Sequence, residues 1–294
     1  MKINLEKIHI ETIFDCNARC IFCLQGQPRP MGLSSRTIND KLFQKIVKEC
    51  GKIPTLSAIK LSFNGEPLLD KKIPERIRLI KSNYPWIKVS INTNALFLDK
   101  RMGLKLLNSG LDKINFHVSA ATKSTYEKIM KELSFDRVLT NIIRFNNLVK
   151  QSHRDVEIFV GFVVNSLNFR EIEIAKNFWL AKGIKFYTSD VMNRAGSVKE
   201  FDRLSQYPRE DSKKDYVSIC SVPFTQMFIR LNGDIVSCWN DWYNENVLGN
   251  CKKESLMGIW YNKNFKTLRE GLLNYHVSSC VCSKCNVYKN YYAK

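Results

Sequence analysis

Six strand-like segments alternate with helical ones through the first two thirds of the chain, and this alternation restricts the fold more than any other feature of the sequence. Lys7–Phe14 (KIHIETIF) alternates apolar and polar residues with a period of two, as a strand does when one face is buried. Ser57–Phe63, Ile87–Asn92, Lys113–Ser119, Val156–Val163 and Ile184–Val191 read as further strands. Helical stretches separate them: one ending at Cys50 before Gly51, then Lys71–Tyr84, Asp99–Ser109, Thr122–Lys150 and Asn168–Lys182, with Gly110 and Gly183 as terminators. Strands joined through helices lie parallel, with right-handed crossovers. The expected fold is α/β, an open, partial (β/α)6 TIM-like barrel whose chemistry gathers at the C-terminal ends of its strands.

The pattern changes after about Met192. Asn193–Tyr216 is polar and strand-poor and reads as a linker. Gln226–Ser237 (QMFIRLNGDIVS) reads as a β-hairpin turning at Asn232–Gly233, followed by a helix across Leu256–Tyr275 and a cysteine-rich tail. The expected division is a barrel domain over residues 1–195 and a small hairpin and helix module over residues 196–294.

A chain of 294 residues can bury one large core, or a large one beside a small one. Its first residues, MKINLEKIHIE, lack the apolar run of a signal peptide, and no stretch of about eighteen apolar residues occurs. The expectation is a cytoplasmic protein with no membrane partner. In that reducing compartment ten cysteines point to metal or redox chemistry rather than to disulfides. Cys16, Cys20 and Cys23 lie near one end, Cys220, Cys238, Cys251, Cys280, Cys282 and Cys285 near the other, and Cys50 near neither. Two metal sites follow, with Cys50 and Cys251 left as structural residues.

On a helix, Cys16, Cys20 and Cys23 would share one face as ordinary buried residues. Their setting argues for a loop instead, because they follow a strand directly and precede the Gly- and Pro-punctuated segment LQGQPRP. A zinc site would need a fourth ligand nearby, whereas three thiolates suit a [4Fe–4S] cluster with one iron left open. The formal charge of +18, from 46 Lys and Arg against 28 Asp and Glu, favours anionic partners such as phosphorylated metabolites, nucleotide sugars, anionic lipid or nucleic acid, although a lysine-rich surface also serves solubility.

The CxxxCxxC loop after the first strand resembles the hallmark of the radical S-adenosylmethionine (SAM) family, and further motifs occur in that family's order. Asn64-Gly65-Glu66-Pro67 resembles the GGE(P) segment that contacts the methionine moiety, with Asn64 replacing the first glycine. Asn92-Thr93-Asn94 resembles the TNG-type segment near the ribose. Phe116-His117-Val118-Ser119-Ala120-Ala121-Thr122, followed by Tyr126-Glu127, resembles the SIDGAT…YE run of the SPASM-containing subgroup, with His117 and Ser119 where that run often has Ser and Asp.

The resemblance implies that the open iron chelates the amino and carboxylate groups of SAM, and that reductive cleavage yields a 5′-deoxyadenosyl radical. It implies SAM contacts at Phe22, Asn64, Gly65, Glu66, Asn92, Asn94 and Ser119, and an electron donor such as flavodoxin or ferredoxin. His117 and Ser119 share the strand face expected to line the barrel, opposite Phe116 and Val118, which makes His117 a candidate for substrate contact or proton transfer beside a purely structural role. Arg194, after the sixth strand, is a candidate to bind the SAM carboxylate or an anionic substrate, with an exposed loop arginine as the alternative.

Cys220, Gly233 four residues before Cys238, and Cys282-Ser283-Lys284-Cys285 resemble the C…Gx4C…CxxC arrangement of the Twitch module, a shortened relative of SPASM. Cys220, Cys238, Cys282 and Cys285 would then ligate an auxiliary [4Fe–4S] cluster with no open iron, with Cys280 as the alternative to Cys282 and a four-cysteine zinc site as the rival. The nine residues after Cys285 leave no room for the longer cysteine series of a two-cluster SPASM domain. In length and cysteine layout the chain resembles the Twitch-type dehydrogenase group acting on aminocyclitols. The expected reaction is hydrogen abstraction from a small polar or anionic substrate, ending in oxidation or epimerisation. Radical modification of a ribosomal peptide is a second option, lowered because the first strand starts almost at Met1 and leaves no leader-recognition domain. A basic nucleic-acid-binding protein with structural zinc is a third, and it leaves the ordered motifs unexplained.

Overall fold

The register of the strands decides which side chains face the barrel interior. In a computed structural model of the protein, which describes residues 2–25, 36–208, 220–274, 276 and 279–286, six parallel strands cross one sheet in chain order. They are β1 (Lys7–Ile10), β2 (Ala58–Lys60), β3 (Lys88–Thr93), β4 (Lys113–His117), β5 (Glu157–Val164) and β6 (Lys185–Asp190). Beyond β1 the sheet continues through β7 (Gln226–Ile229), parallel to β1, and then antiparallel β8 (Asp234–Val236) and β9 (Val247–Asn250). Among the described residues the sheet ends at β6 and β9, so the expected open, partial barrel is what forms.

The crossovers are helical: α1 (Asp40–Cys50), α2 (Ile73–Asn83), α3 (Lys100–Asn108), α4 (Lys123–Ile129) with α5 (Phe135–Ser152), and α6 (Ile172–Leu180). Side chains at their starts satisfy the free backbone donors: Asn39 accepts from Lys41 N at 2.9 Å and Asp99 from Met102 N at 2.7 Å. Ile8, Ile10, Ile59, Val89, Ile91, Ile114 and Val160 on the strands join Phe43, Ile46, Ile77 and Phe145 of the helices in one apolar core. The alternate strand positions are polar, and pairing aligns them: His9 opposite Lys60, Lys60 opposite Ser90, Asn92 opposite Asn115. A sheet whose helix-facing side is aliphatic and whose other side is polar leaves a wet interior for a ligand.

Three expectations need correction. Thr122–Lys150 is not one helix: it breaks between α4 and α5, where Met130–Lys131 pairs antiparallel with Arg19–Cys20. The backbone turns at Glu132 (φ 68°), and Ser134 caps α5 by accepting from Arg137 N at 3.4 Å. Those residues are diverted from helix to hold the cysteine loop, and Ile21 N also donates to Ile129 O at 3.0 Å. The helix expected over Leu256–Tyr275 divides into Leu256–Trp260 and Lys263–Leu273, because Asn262 starts the second by accepting from Phe265 N at 3.0 Å; Tyr275 lies outside the described residues. The stretch Asn193–Tyr216 is more than a linker: Phe201–Ser205 is helical, and Asn193 Nδ2 donates to Lys284 O at 2.8 Å, while residues 209–219 lie outside the described residues. The hairpin forms as expected, turning at Gly233 (φ +90°), and joins the barrel sheet directly through β1.

Candidate active site

The loop that leaves β1 carries Cys16, Cys20 and Cys23, and its shape is fixed largely by backbone acceptors. Arg19 Nη1 donates to the carbonyls of Cys16 and Ala18 at 2.8 and 2.9 Å, and Cys23 N donates to Cys20 O at 2.9 Å. Gln25 Nε2 ties Phe14 O to Asn64 O, at 2.6 and 2.8 Å. Gly65 lies flat against the same loop: a Cβ there would sit 2.2 Å from Ile13 O and 2.8 Å from Asp15 O. Only glycine allows that approach, which is completed by Glu66 N donating to Asp15 O at 2.9 Å.

All three cysteines border one cleft of about 520 Å³. Burial raises the Cys16 thiol to about 12, with Glu66 adding to it, and raises Cys20, with Cys23 and Cys16 as further causes. Thiols that face one another across a cleft in this way suit cationic iron, which would reverse the penalty and hold them as thiolates. Among the described residues no three His, Cys, Asp or Glu side chains are placed to hold a single metal ion. The donor set matches a [4Fe–4S] cluster with one iron free of protein ligands.

Glu66 borders the cleft, yet its carboxylate is engaged: it accepts from Thr93 Oγ1 at 2.6 Å, Asn94 N at 2.8 Å and Leu68 N at 3.1 Å. Burial raises this carboxyl to about 7, against the opposing effect of those three donors. Its geometric effect is to fix the end of β3, from which Asn94 Nδ2 reaches Asn17 Oδ1 at 3.0 Å and Cys16 Sγ at 3.9 Å. His117 Nε2 lies 3.0 Å from Asn92 Nδ2 and 3.3 Å from Asn115 Nδ2. Two amide donors make that nitrogen an acceptor, and burial, with Lys60 and Arg194 nearby, lowers the imidazole to about 4.

Phe22, Gly65, Glu66, Asn92, Asn94, His117 and Arg194 therefore meet the three cysteines around the cleft. Arg194, in the left-handed region (φ 49°), donates through Nη1 to the Trp239 carbonyl. Asn64 and Ser119 are not among the residues bordering the cleft. Asn64 gives its carbonyl to Gln25, whereas Ser119 is fully buried, accepting at Oγ from Val163 N at 3.1 Å and at its carbonyl from Asn168 Nδ2 at 2.7 Å. Sequence reasoning missed Lys7, His9, Lys60, Gln226 and Trp239 of the same cleft. The alternation in KIHI already places Lys7 and His9 on one face, but the partners from β2 and β7 come from pairing over long sequence separations.

Four thiols converge in the C-terminal module. Burial raises Cys238, and Cys282, Cys220 and Cys285 all add to that shift. Cys282 is raised to about 12, again by burial first, with Cys220 and Cys285 adding. Asn240 Nδ2 donates to Cys285 Sγ at 3.1 Å, and Asn240 N to Cys238 Sγ at 3.4 Å, the kind of donors that tune a cluster's sulfurs. The Cys280 side chain lies outside the described residues, and Cys50 and Cys251 are buried neighbours elsewhere.

Comparison with known proteins agrees with this layout. The radical SAM superfamily matches residues 10–173, and the SPASM iron–sulfur cluster-binding domain matches residues 220–286. The chain belongs to the radical SAM superfamily. Its cofactors are a SAM-binding [4Fe–4S] cluster, S-adenosylmethionine and an auxiliary iron–sulfur cluster. A probable GTP 3′,8-cyclase of Saccharolobus solfataricus is 32% identical over 181 residues, 59% of this chain and 54% of that protein. The GTP 3′,8-cyclase of Lactiplantibacillus plantarum is 29% identical over 127 residues, 43% of this chain and 37% of that protein. The chain thus spans about half the length, or less, of these curated relatives. Among solved structures, BtrN in complex with AdoMet and 2-DOIA aligns with a TM-score of 0.65 and 18% identity over 97% of this chain and 94% of that one. Streptococcus suis SuiB bound to the precursor peptide SuiA gives 0.71 and 16%, over 97% and 70%. At these identities the two structures speak to the fold. Among the described residues no helix is long and apolar enough to cross a membrane.

Proposed function

We propose that this radical SAM enzyme removes a hydrogen atom from a small, polar, anionic metabolite held inside the barrel, with oxidation or epimerisation as the outcome. The observation that carries the reading is the cleft wall: Lys7, Lys60 and Arg194 border it together with the cysteines, and Glu66, the carboxylate among its described lining residues, is already bonded to Thr93, Asn94 and Leu68. Such a wall selects negative charge. GTP, named for the relatives' activity, belongs to the same broad class of small anionic metabolites.

In this reading Cys16, Cys20 and Cys23 hold the first cluster, and the module over residues 196–294, a Twitch-like form, holds the auxiliary one through Cys220, Cys238, Cys282 and Cys285. When bound, the first cluster and SAM supply the hydrogen-abstracting chemistry, driven by a one-electron donor such as flavodoxin or ferredoxin. Gly65 and Asn94 shape the edge of the cleft beside the cysteines. His117, neutral and held at Nε2 by the Asn92 and Asn115 amides, borders the substrate space and would donate from Nδ1–H to a substrate oxygen, and Arg194 closes the wall at the module side. In an oxidation the auxiliary cluster, held by those four cysteines, would supply an acceptor for the electron left on the substrate once its hydrogen atom and hydroxyl proton are gone. The reducing cytoplasm suits both thiolate sites.

Anaerobic, reduced protein given SAM and a panel of deuterated sugar phosphates and nucleotides should release 5′-deoxyadenosine carrying deuterium from one of them. Protein that binds SAM but only methylates would overturn the reading. Peptide modification is the second reading, favoured by the fold shared with peptide-bound SuiB; it predicts deuterium transfer from a peptide and none from the metabolite panel.

A further inference from the structure

Lys60 stands at the end of β2 and borders the cleft with no ion-pair partner among the described residues. The charged groups that bear on it are Lys7, Lys113 and Arg194, every one a cation. His9, paired with it in register on β1, stacks on Phe228 at 4.2 Å between ring centroids and bonds Gln226 Oε1 at 2.8 Å. Burial lowers His9 to about 3 and His117 to about 4, so neither adds charge near neutrality and neither removes any. Lys60 itself is lowered to about 7, by burial first and then by Lys7, Lys113 and Arg194. Gathering cations in a concave, partly dry wall without counter-charge is costly, and the cost is relieved when a ligand brings the missing anion.

The charge count also fits a particular anion. A phosphate monoester carries about −1.5 to −2 near neutral pH, which matches several clustered cations better than a single carboxylate does. Position matters as well. Lys7 begins β1 and Lys60 lies opposite His9 within that strand, whereas the cysteine loop follows the strand's other end, so the two lysines lie deeper along the barrel wall than the cysteines, with Arg194, beyond β6, at the C-terminal mouth. A substrate held by its phosphate would direct its carbon skeleton toward the mouth.

We propose that Lys60, flanked by Lys7 and Arg194, is the specificity-determining anchor for a phosphoryl group on the substrate. The inference rests on the cleft being the substrate site, and it deepens that reading by naming the substrate class.

The test uses the cluster-loaded, SAM-bound full chain and inorganic phosphate as probe, with titration calorimetry at two salt concentrations. Native protein should bind phosphate, Lys60→Gln and Lys60→Met should weaken it at least tenfold, and Lys60→Arg should restore most of the affinity. Lys105→Gln, at an exposed helical lysine, should leave binding unchanged. If a Lys60 variant loses iron, Lys7→Gln takes its place, with at least a threefold loss expected. Equal binding by native and Lys60→Gln protein, or equal loss in Lys105→Gln, would overturn the anchor, since attraction to the general +18 charge would then explain the signal. The two readings separate cleanly: Lys60-dependent phosphate binding without deoxyadenosine release refutes the radical reaction alone, and deoxyadenosine release without phosphate binding refutes the anchor alone.

Discussion

Glu11 and Arg230 lie 3.4 Å apart with both side chains fully buried, one just beyond β1 and the other just beyond β7. Leu231 N donates to Glu11 Oε2 at 3.3 Å, Arg230 Nη2 donates to Trp242 O at 3.4 Å, and the guanidinium lies over the rings of Phe63 and Phe14 at 5.2 and 5.6 Å. Burial pushes the Glu11 carboxyl up and the Arg230 guanidinium down, and each opposes the other's shift. The pair locks the C-terminal module to the barrel.

Removing one partner of this pair strands a buried charge. Arg230→Met is therefore expected to cost about 3–5 kcal/mol. The double variant Glu11→Gln/Arg230→Met should regain much of that loss, because neutralising both groups leaves no stranded charge. Denaturant unfolding of the native protein, the Glu11→Gln and Arg230→Met single variants and the double variant measures the coupling, and strictly additive losses would contradict it.

Iron content reports the two thiolate sites separately. The reconstituted chain should hold about eight irons, and substituting Cys16, Cys20 and Cys23 by Ala together should remove about four of them. Replacing Cys238 and Cys285 should remove the other set while SAM binding survives. Tight zinc in place of iron at the C-terminal site would make that site structural.

Gly65 carries a sharper expectation. In Gly65→Ala the new methyl meets backbone carbonyls at 2.2 and 2.8 Å, which no rotamer change relieves. The cysteine loop must shift, at a cost of about 1–3 kcal/mol. The signature is a lowered melting temperature together with loss of the first cluster and retention of the auxiliary one, read by iron analysis and spectroscopy.

The buried imidazoles set an acid limit. His117 falls to about 4 and His9 to about 3, below the ordinary value of 6.5. The folded chain thus binds fewer protons than the unfolded one between about pH 6.5 and those values, so stability is lost as pH falls through that window. His117→Gln should flatten part of the slope between pH 6.5 and 4 in a series of melting temperatures, with His9 responsible for a remainder reaching lower. An unchanged slope would show that His117 titrates normally.

Much of the architecture was legible because it rests on local signals. The period-2 runs and the glycines that stop helices mark β1 to β6 and most crossovers, and the cysteine spacings mark the two groups of neighbouring thiols. The break at Met130–Lys131 was hidden, since Thr122–Lys150 carries an uninterrupted helical pattern and what interrupts it is pairing with Arg19–Cys20, over a hundred residues away. β9 escaped notice because VLGN is short and follows a polar turn. Lys60 carries no local signal in AIK, because its surroundings arise from strands brought together by register. Ser119 fits the motif in sequence, yet in space it is spent on holding β5.

The pairing of Lys7–Ile10 with Gln226–Ile229 also sets an order of assembly on the ribosome. β1 is made more than two hundred residues before β7, and over that stretch of synthesis one of its edges has no native partner. At about 5–20 residues per second that edge waits for tens of seconds. An open strand edge invites pairing with other chains. The long wait makes the nascent chain a natural client for chaperones, and it gives the last third of the protein the task of sealing the first.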